Sequence, residues 1–345
     1  MAATLHDVAR IAGVSIKTVS NVINDYPHIR PATRAKVEQA IAELGYTPNL
    51  TARNLRSGRT GAIALAVPDL ALSYFAELAA EVIAEAERAG VVVLIEQTGG
   101  DRDRELELLS SPRLKLTDGL IFSALGMGQD DVGSLAVPYP LVLLGERIFD
   151  GPADHVTMQN VEAARAATEY LLASGRRRIA VVGAHEGEVI GSAGLRLRGY
   201  REALEAAGIP YDDDIVAYTT LWHRANGARA MRELLDREVQ FDAVFGLNDT
   251  LALGAMRTMQ EAGIHVPDDV SVVGWDDLDE AQYSIPSLTT VDPGRPWIAR
   301  TAVQTLLARI MKPLPAHEPL PAHEARLQLA DFRIVERESA PRRIG

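Results

Sequence analysis

The chain contains no cysteine, which excludes disulfide bonds and any metal or iron–sulfur site built on thiolate ligands. It also lacks an apolar run that approaches the roughly 20 residues of a membrane-spanning helix. The stretch MAATLHDVAR at the start has neither the basic beginning nor the apolar core of a secretory signal. We therefore expect a cytoplasmic protein that makes no contact with a membrane.

Motifs for nucleotide and acyl chemistry are missing as well. No G-x-G-x-x-G follows a strand pattern, and the sequence has no Walker loop and no G-x-S-x-G. The nearest glycine-rich stretch, GSAG at 191–194, is a weak match, so we expect no enzyme, no catalytic residue and no cofactor. Prolines hold apart the His–Glu pairs of LPAHEPLPAHE at 314–324, which favours a surface connection over a metal site.

Charge is distributed unevenly along the 345 residues, a length that suggests two or three domains. The net charge is −12, yet residues 1–60 carry eight Lys and Arg against four Asp and Glu. That head therefore has a charge of +4 and the remainder a charge of −16. A basic head on an acidic body is typical of a phosphate-binding module attached to a soluble sensor, with chance unevenness as the simpler alternative.

Three short helices are predicted in the head. A capping-box pattern at Thr4–Asp7 starts the first helix, and Gly13 ends it. Ser15 can cap a second helix that runs to about Asn24. A third helix, Pro31–Leu44, begins with proline in its first turn and is followed by a glycine.

The first two helices, joined by AGVS, match the helix-turn-helix pattern, whose second helix enters the major groove of DNA. On the open face of that helix Lys17 can donate to guanine, Asn21 can pair with adenine, and Ile16 can contact a thymine methyl group. Serine and threonine hydroxyls suit phosphate oxygens. A generic solvated helix face is the alternative. The predicted DNA-binding residues of the head are Thr4, Ser15, Ile16, Lys17, Thr18, Ser20 and Asn21.

Beyond residue 60 continuous apolar strands alternate with amphipathic helices. Such strands indicate parallel sheets covered on both faces. About ten β–α units are too many for one open sheet, which favours two similar subdomains with a boundary near 158–162. Ligands in such sheets lie beyond the carboxyl ends of strands. Polar residues follow strands at Glu146, Arg147, Asn248 and Asp276.

The stretches TLHDVARIAGVSIKTVSNVIN, AIAELGYTPNLTARNLRSGRTGAIALAVPDL, RLRGYREALEAAGIP and FDAVFGLNDTLALGAM resemble the lactose-repressor/galactose-repressor (LacI/GalR) family. The resemblance runs through the whole chain in family order. It implies an all-α helix-turn-helix N-terminal domain plus an α/β core of two doubly wound parallel-sheet subdomains, periplasmic-binding-protein-like. The expected domains are 1–46 for DNA binding, 47–59 for a hinge and 60–345 for the core. Within the core we expect about 60–160 plus 292–320 in one subdomain and about 161–291 plus 321–340 in the other.

The resemblance also implies that the segment PNLTARNL is a hinge helix that folds when two subunits sit on an operator. Eight residues are too few for a stable isolated helix, which agrees with folding on binding. Leu55 matches the family's hinge leucine, a wedge into the minor groove, and an ordinary linker contact is the alternative. Asn49, Ala52 and Arg53 are expected to line the same groove.

Effector contacts carried over from the family fall on Arg196, Asn248 and Asp276, with Trp222 as the aromatic against the ligand. A lobe-to-lobe salt bridge for Arg196 and a plain core position for Trp222 are the alternatives, and Asp249 is expected to cap a helix. A carboxylate, a guanidinium and an amide suit adjacent hydroxyls, and an aromatic face suits a sugar ring. The predicted effector-binding residues are Tyr74, Phe75, Glu146, Arg147, Arg196, Trp222, Asn248 and Asp276.

Together these features predict a homodimeric transcriptional regulator, a repressor of carbohydrate genes that binds near-palindromic double-stranded operator DNA. A sugar or sugar derivative would be the effector, and pairing of dimers into tetramers stays open. A purine- or nucleoside-dependent co-repressor system is the main alternative. A transport-type sugar-binding protein would share the body but needs an export signal and no basic head.

Overall fold

The computed structural model describes residues 3–23, 26–46, 59–311 and 325–342. The predicted hinge residues Asn49, Ala52, Arg53 and Leu55 lie outside the described residues, as does the repeat at 314–324. Contacts divide the chain into two units, Met1–Gly61 and Ala62–Gly345, which we call the head and the core. No helix within the described ranges is both long and apolar enough to span a bilayer.

The head contains helices Leu5–Ala12 (α1), Ile16–Ile23 (α2) and Pro31–Leu44 (α3). Local side chains set their ends. The Thr4 hydroxyl accepts from the Asp7 N–H at 3.3 Å, and the Asp7 carboxylate accepts from the Thr4 N–H at 3.0 Å. This capping box begins α1.

Apolar side chains at helical spacing hold the three helices together. Val8, Val19 and Val37, one from each helix, are fully buried in one cluster. Burial of a valine contributes about 1.5–3 kcal/mol relative to its exposure. The apolar stripe of α2 therefore faces the head's own core, and the other side of the helix is left to polar residues.

The core of the chain is built from strands and helices in alternation. In chain order its strands are Ala62–Val67 (β1), Val92–Gln97 (β2), Leu120–Ser123 (β3), Leu141–Leu144 (β4), Asp154–Met158 (β5), Ile179–Ala184 (β6), Val216–Tyr218 (β7), Ala243–Gly246 (β8), Ser271–Trp275 (β9), Thr289–Asp292 (β10), Leu327–Ala330 (β11) and Arg333–Val335 (β12). Its α-helices are Ser73–Arg88 (α4), Arg102–Leu109 (α5), Asn160–Ala173 (α6), Ser192–Ala206 (α7), Arg224–Asp236 (α8), Asp249–Glu261 (α9), Asp279–Tyr283 (α10) and Arg295–Met311 (α11).

These strands form two six-stranded sheets. The first has the order β11-β5-β4-β3-β1-β2 and is entirely parallel. The second has the order β12-β10-β9-β8-β6-β7. We call each sheet with the helices packed on it the first lobe and the second lobe. Strands β3, β4, β8 and β9 are buried along their full length, which explains their largely apolar sequences.

One expectation about the end of the chain is wrong in part. We expected 321–340 in the second subdomain, but Leu327–Ala330 pairs with β5 in the first sheet. The buried Asp154 carboxylate accepts from the Arg326 N–H at 3.1 Å, which places this segment beside β5. The second sheet has one antiparallel edge strand, since β12 runs antiparallel to β10. The chain leaves the first sheet at the carboxyl end of β11. It therefore enters the second sheet at the edge where the parallel strands end, and β12 runs in the opposite direction to them.

Three connections between the lobes lie side by side. The chain crosses at Gln159, again just before Gly294, and finally between β11 and β12 at Asp331. The Gln159 amide donates to the Ala330 carbonyl at 2.9 Å. A Cβ at Gly294, where φ is +77°, would lie 2.7 Å from the Asp331 carbonyl oxygen, so only glycine fits this close approach. The Gln159 amide thus makes a polar bridge between two of the crossing segments.

Candidate functional site

The open face of α2 carries most of the predicted DNA-binding residues. Lys17 is exposed and forms no ion pair within the part of the chain that the structure describes. Asn21 lies one turn further along the same helix. The Ser15 hydroxyl accepts from the Thr18 N–H at 3.1 Å and lies 2.9 Å from the Thr18 hydroxyl, so it caps α2. Ile16 is half-buried against the head core, which leaves less of its side chain exposed than we expected.

Thr4 belongs to the cap of α1. Its hydroxyl donates to the Asp7 carboxylate at 2.7 Å. This bond and that from the Arg10 guanidinium lower the pKa of Asp7 to about 2. An ionised carboxylate at the first turn also suits the helix dipole.

In the core, one cavity of about 150 Å³ lies between the two lobes at the carboxyl ends of their strands. It brings together all the residues predicted for the effector, although they come from distant parts of the chain. They are Tyr74, Phe75, Glu146, Arg147, Arg196, Trp222, Asn248 and Asp276. The parallel sheets produce this convergence because their strand ends meet at one edge of each sheet.

Arg196 lies in the wall of the cavity and is almost completely buried. Its Nε donates to the Asn160 side-chain oxygen at 2.8 Å, and its Nη1 donates to the Leu247 carbonyl. Its guanidinium carbon lies 4.1 Å from the Trp275 ring centroid and 5.2 Å from that of Trp222. Burial lowers the pKa of Arg196, against the attraction of nearby carboxylates. Arg196 forms no salt bridge among the described residues, so that alternative is wrong.

Asp276 presents the most unusual carboxyl group of the cavity. It is 5% exposed and adopts φ of +113°, a conformation that non-glycine residues rarely take. Its N–H donates to the Val291 carbonyl at 2.9 Å, and its carbonyl accepts from Arg295 at 2.8 Å. Its carboxyl group has no hydrogen-bond partner within the described residues. Burial raises the pKa of Asp276 to about 7, with the charges of Arg196 and Arg295 opposing the shift.

The aromatic wall is held in place by backbone hydrogen bonds. The Trp222 Nε1 donates to the Gly183 carbonyl at 2.8 Å, and the ring borders the cavity rather than the plain core. The Asn248 side chain accepts from the Leu251 N–H at 2.8 Å and donates to the Trp222 carbonyl at 3.3 Å. Asn248 therefore caps α9 and positions Trp222.

Our expectation that Asp249 is the helix cap is wrong, because Asn248 fills that place. Asp249 is fully buried instead and accepts from the Thr290 hydroxyl at 2.6 Å and from the Leu278 N–H at 2.9 Å. Burial raises its pKa well above the ordinary value. The neighbouring Asp277 forms an ion pair with Arg337 at 2.6 Å.

Two first-lobe residues bridge the cavity to the second lobe. The Glu146 carboxylate accepts from the Ser192 hydroxyl at 2.6 Å, and the Arg147 guanidinium lies 3.4 Å from Glu188. Sequence reasoning missed Ser192, Glu188 and also His185, which all line the cavity. His185 follows β6 directly and Glu188 lies in the same loop, so the rule that ligands lie beyond strand ends could have found them.

Further contacts join the lobes at the mouth of the cavity. The Ser73 hydroxyl donates to Glu280 at 3.1 Å, and the Asp279 N–H donates to Glu77 at 3.2 Å. Beside them the Tyr74 and Phe75 rings meet edge to face, with centroids 5.2 Å apart. Burial raises the pKa of Tyr74, so its hydroxyl stays protonated and can act as a donor. The cavity is thus closed by polar contacts between the lobes.

Comparison with known proteins gives the family. The model of bacterial regulatory proteins of the lacI family matches residues 4–49, and that of the periplasmic binding protein-like domain matches residues 168–340. The HTH-type transcriptional regulator CelR of Thermobifida fusca is 37% identical over 322 residues, which cover 89% of this chain and 92% of CelR. The chain belongs to the LacI family.

LacI-family structures share its architecture over nearly the whole length. The complex of CelR with cellobiose has a TM-score of 0.70 at 32% identity and covers 98% of this chain and 99% of CelR. The lac repressor dimer bound to operator and the anti-inducer ONPF has a TM-score of 0.81 at 28% identity. The match covers 99% of this chain and 100% of the lac repressor chain. The predicted family and fold are confirmed, and the protein is a DNA-binding transcriptional regulator of the LacI type.

Proposed function

We propose that this LacI-family protein represses carbohydrate genes and that a sugar in the cavity between its lobes controls its affinity for operator DNA. The observation that carries the proposal is the Asp276 carboxyl group, which is buried, faces the cavity and has no hydrogen-bond partner in the described parts of the chain. An unpaired buried polar group is costly unless a ligand satisfies it. A sugar hydroxyl supplies the missing donor.

The rest of the cavity suits the same ligand. The Trp222 ring can cover the apolar face of a pyranose or furanose. Tyr74 adds a hydrogen-bond donor to the lining of the cavity, and Glu146 adds an acceptor. The relative CelR has been solved with a sugar, cellobiose, which supports a sugar here.

Two copies of the chain would act together on DNA. Edge strand β2 exposes Val92, Leu94 and Ile95, and a second apolar patch lies at Tyr283 and Ile285. Exposed apolar groups of this kind favour association. A two-fold dimer places two α2 helices on the half-sites of a near-palindrome, as the dimeric lac repressor on its operator suggests.

Within that dimer Lys17 and Asn21 would contact base edges, and Ser15, Thr18 and Ser20 would contact phosphates. The wedge role of Leu55 rests on the sequence alone. Leu55→Ala should weaken specific operator binding and leave sugar binding intact. Unchanged operator affinity would argue against the wedge. Since its target is chromosomal DNA, we place the protein in the cytoplasm.

The sugar can release DNA only if it binds better to the arrangement of the lobes that opens the hinges. A tenfold preference corresponds to about 1.4 kcal/mol per site, so two sites supply a useful switch. The sign of the preference decides whether the sugar is an inducer or a co-repressor.

The test combines selection of DNA with a ligand screen. The full-length protein selects duplexes from a random pool, and binding to the selected duplex is measured with sugars and with purine bases. We expect a palindromic duplex whose affinity falls when a sugar binds. No preference over random duplex would contradict the regulator, and a response to purines but to no sugar would contradict the effector class.

Asp276→Asn is the variant that isolates the cavity. We expect it to lose sugar binding and the response to sugar while it binds the selected duplex as the wild type does. Asp236→Asn, at the exposed end of α8, is the matched control and should keep both. A response retained in Asp276→Asn would mean that the sugar binds elsewhere.

A further inference from the structure

A second polar cluster borders the cavity, apart from Asp276 and Arg196. Its centre is Glu188, whose side chain is 9% exposed. One carboxylate oxygen lies 2.9 Å from the His185 Nδ1 and 3.4 Å from the Arg147 Nη2. The other accepts from the Ala193 N–H at 3.0 Å and from the Gly194 N–H at 3.2 Å.

This carboxylate is held in its ionised form. Burial acts to raise the pKa of Glu188, but the hydrogen bond from His185 and the charge of Arg147 outweigh it, and the pKa lies below its ordinary value. The negative charge of Glu188 therefore offsets the positive charge of Arg147 inside the cavity.

The loop HEGEVIGSAG is shaped around Glu188. At Gly191, where φ is +119°, a Cβ would lie 2.6 Å from a Glu188 carboxylate oxygen. At Gly194 a Cβ would lie 2.5 Å from the Glu188 carbonyl oxygen. Any other residue at these two positions would push the loop away, so the glycines let it close around the carboxylate.

Two atoms of the cluster have no partner of their own. His185 Nε2 and Arg147 Nε are both buried without a hydrogen bond to any described residue. Since Nδ1 of His185 is taken up by Glu188, its Nε2 is left without a partner, and the Arg147 Nε–H is a second donor without an acceptor. Both side chains contact the same Glu188 oxygen and are therefore neighbours. A hydroxyl group, which accepts and donates at once, is the kind of ligand group that can satisfy such a pair.

We propose that His185 and Arg147, positioned by Glu188, form a hydroxyl-binding subsite that selects neutral sugars over sugar phosphates and sugar acids. The inference rests on the proposed sugar-binding function. Glu188 offsets the charge of Arg147, and Asp276 and Glu146 act against that of Arg196, so an anionic group in the cavity gains no net attraction. Arg147 belongs to the first lobe and His185 to the second, so one bound hydroxyl joins the two lobes.

The ligands of the test are D-glucose, D-ribose, cellobiose, glucose 6-phosphate and gluconate, screened by thermal shift on the full-length protein. The best neutral sugar is then titrated by calorimetry into the wild type and variants. His185→Phe keeps a ring beside Trp222, whose ring centroid is 5.5 Å from that of His185, but removes Nε2. We expect its affinity to fall about tenfold, the effect of one lost hydrogen bond. His185→Gln, whose amide reaches the same place, should recover part of the loss.

Two further variants separate recognition from structure. His265→Phe is the matched control, since His265 forms a similar pair with Asp269 at 3.1 Å on the exposed surface, and it should bind as the wild type does. Glu188→Gln leaves the charge of Arg147 without its offset. We expect it to shift preference from glucose toward glucose 6-phosphate, which a merely structural role would not do.

The outcomes are distinct. Equal sugar affinity of His185→Phe and wild type, or a wild-type preference for glucose 6-phosphate or gluconate, overturns the subsite and leaves the sugar-binding function standing. Failure of every sugar to bind the wild type overturns the proposed function and the subsite with it. Wild-type affinity of each variant for the selected duplex shows that the variant is folded.

Discussion

Asp276→Asn should make the core more stable at neutral and alkaline pH while it removes the effector response. In the folded protein the pKa of Asp276 is about 7, against an ordinary value of 3.8. The folded state binds the Asp276 proton more tightly than the unfolded state does. The protonated group therefore favours folding below about pH 4. That contribution is lost progressively as the pH rises to about 7, and above 7 the ionised group is simply costly.

The size of the effect follows from the difference in pKa. A difference of about three pKa units, at 1.36 kcal/mol per unit, corresponds to about 4 kcal/mol. This is the upper range of the free energy of unfolding that the protein loses when Asp276 ionises. Asparagine has nearly the same shape and carries no charge, so the variant should avoid most of this cost at pH 8. At pH 4 the two proteins should have similar stability.

Urea unfolding between pH 4 and pH 8 tests the argument without any sugar present. Tryptophan fluorescence reports on the core alone, since all three tryptophans, Trp222, Trp275 and Trp297, lie there. We expect the free energy of unfolding of the wild type to fall relative to Asp276→Asn across this range. Asp236 is exposed on α8, so the free energy of unfolding of Asp236→Asn should change with pH as that of the wild type does. If the free energy of unfolding of Asp276→Asn changed with pH as that of the wild type does, the strained, unpaired carboxylate in the cavity would be refuted.

Three shorter predictions concern other parts of the chain. Lys17→Ala should change base preference among operator variants, and a uniform loss over all sequences would make Lys17 a phosphate contact. Leu94→Glu should shift light-scattering mass from dimer to monomer, whereas Leu116→Glu, also exposed, should not; unchanged mass would remove β2 from the interface. Glu105→Gln should lower the free energy of unfolding by about 3 kcal/mol, because the buried carboxylate accepts from the N–H groups of residues 125–127, with exposed Glu107→Gln as control. Equal unfolding curves would contradict that role.

The ends of the head helices could be predicted from the sequence because the forces that set them are local. Thr4 and Asp7 are three residues apart, and Ser15 and Thr18 likewise, so each cap lies within one turn. The cavity was predictable for a similar reason. Residues after parallel strands must meet at one edge of the sheet, which brings Asn248 and other strand-end residues together.

Other features were decided by the tertiary structure because they join residues that are far apart in the chain. Nothing local in Leu327–Ala330 shows that it pairs with β5, about 170 residues earlier, and β12 is antiparallel only because of the end from which it enters. The pairing of Arg147 with Glu188 depends on how the two lobes meet. The sequence by itself determined the helices, the alternating strands and the edge where a ligand can lie, since periodicity and capping act over a few residues. Only the packed lobes decided which carboxylates are paired and which one, Asp276, is left facing the cavity.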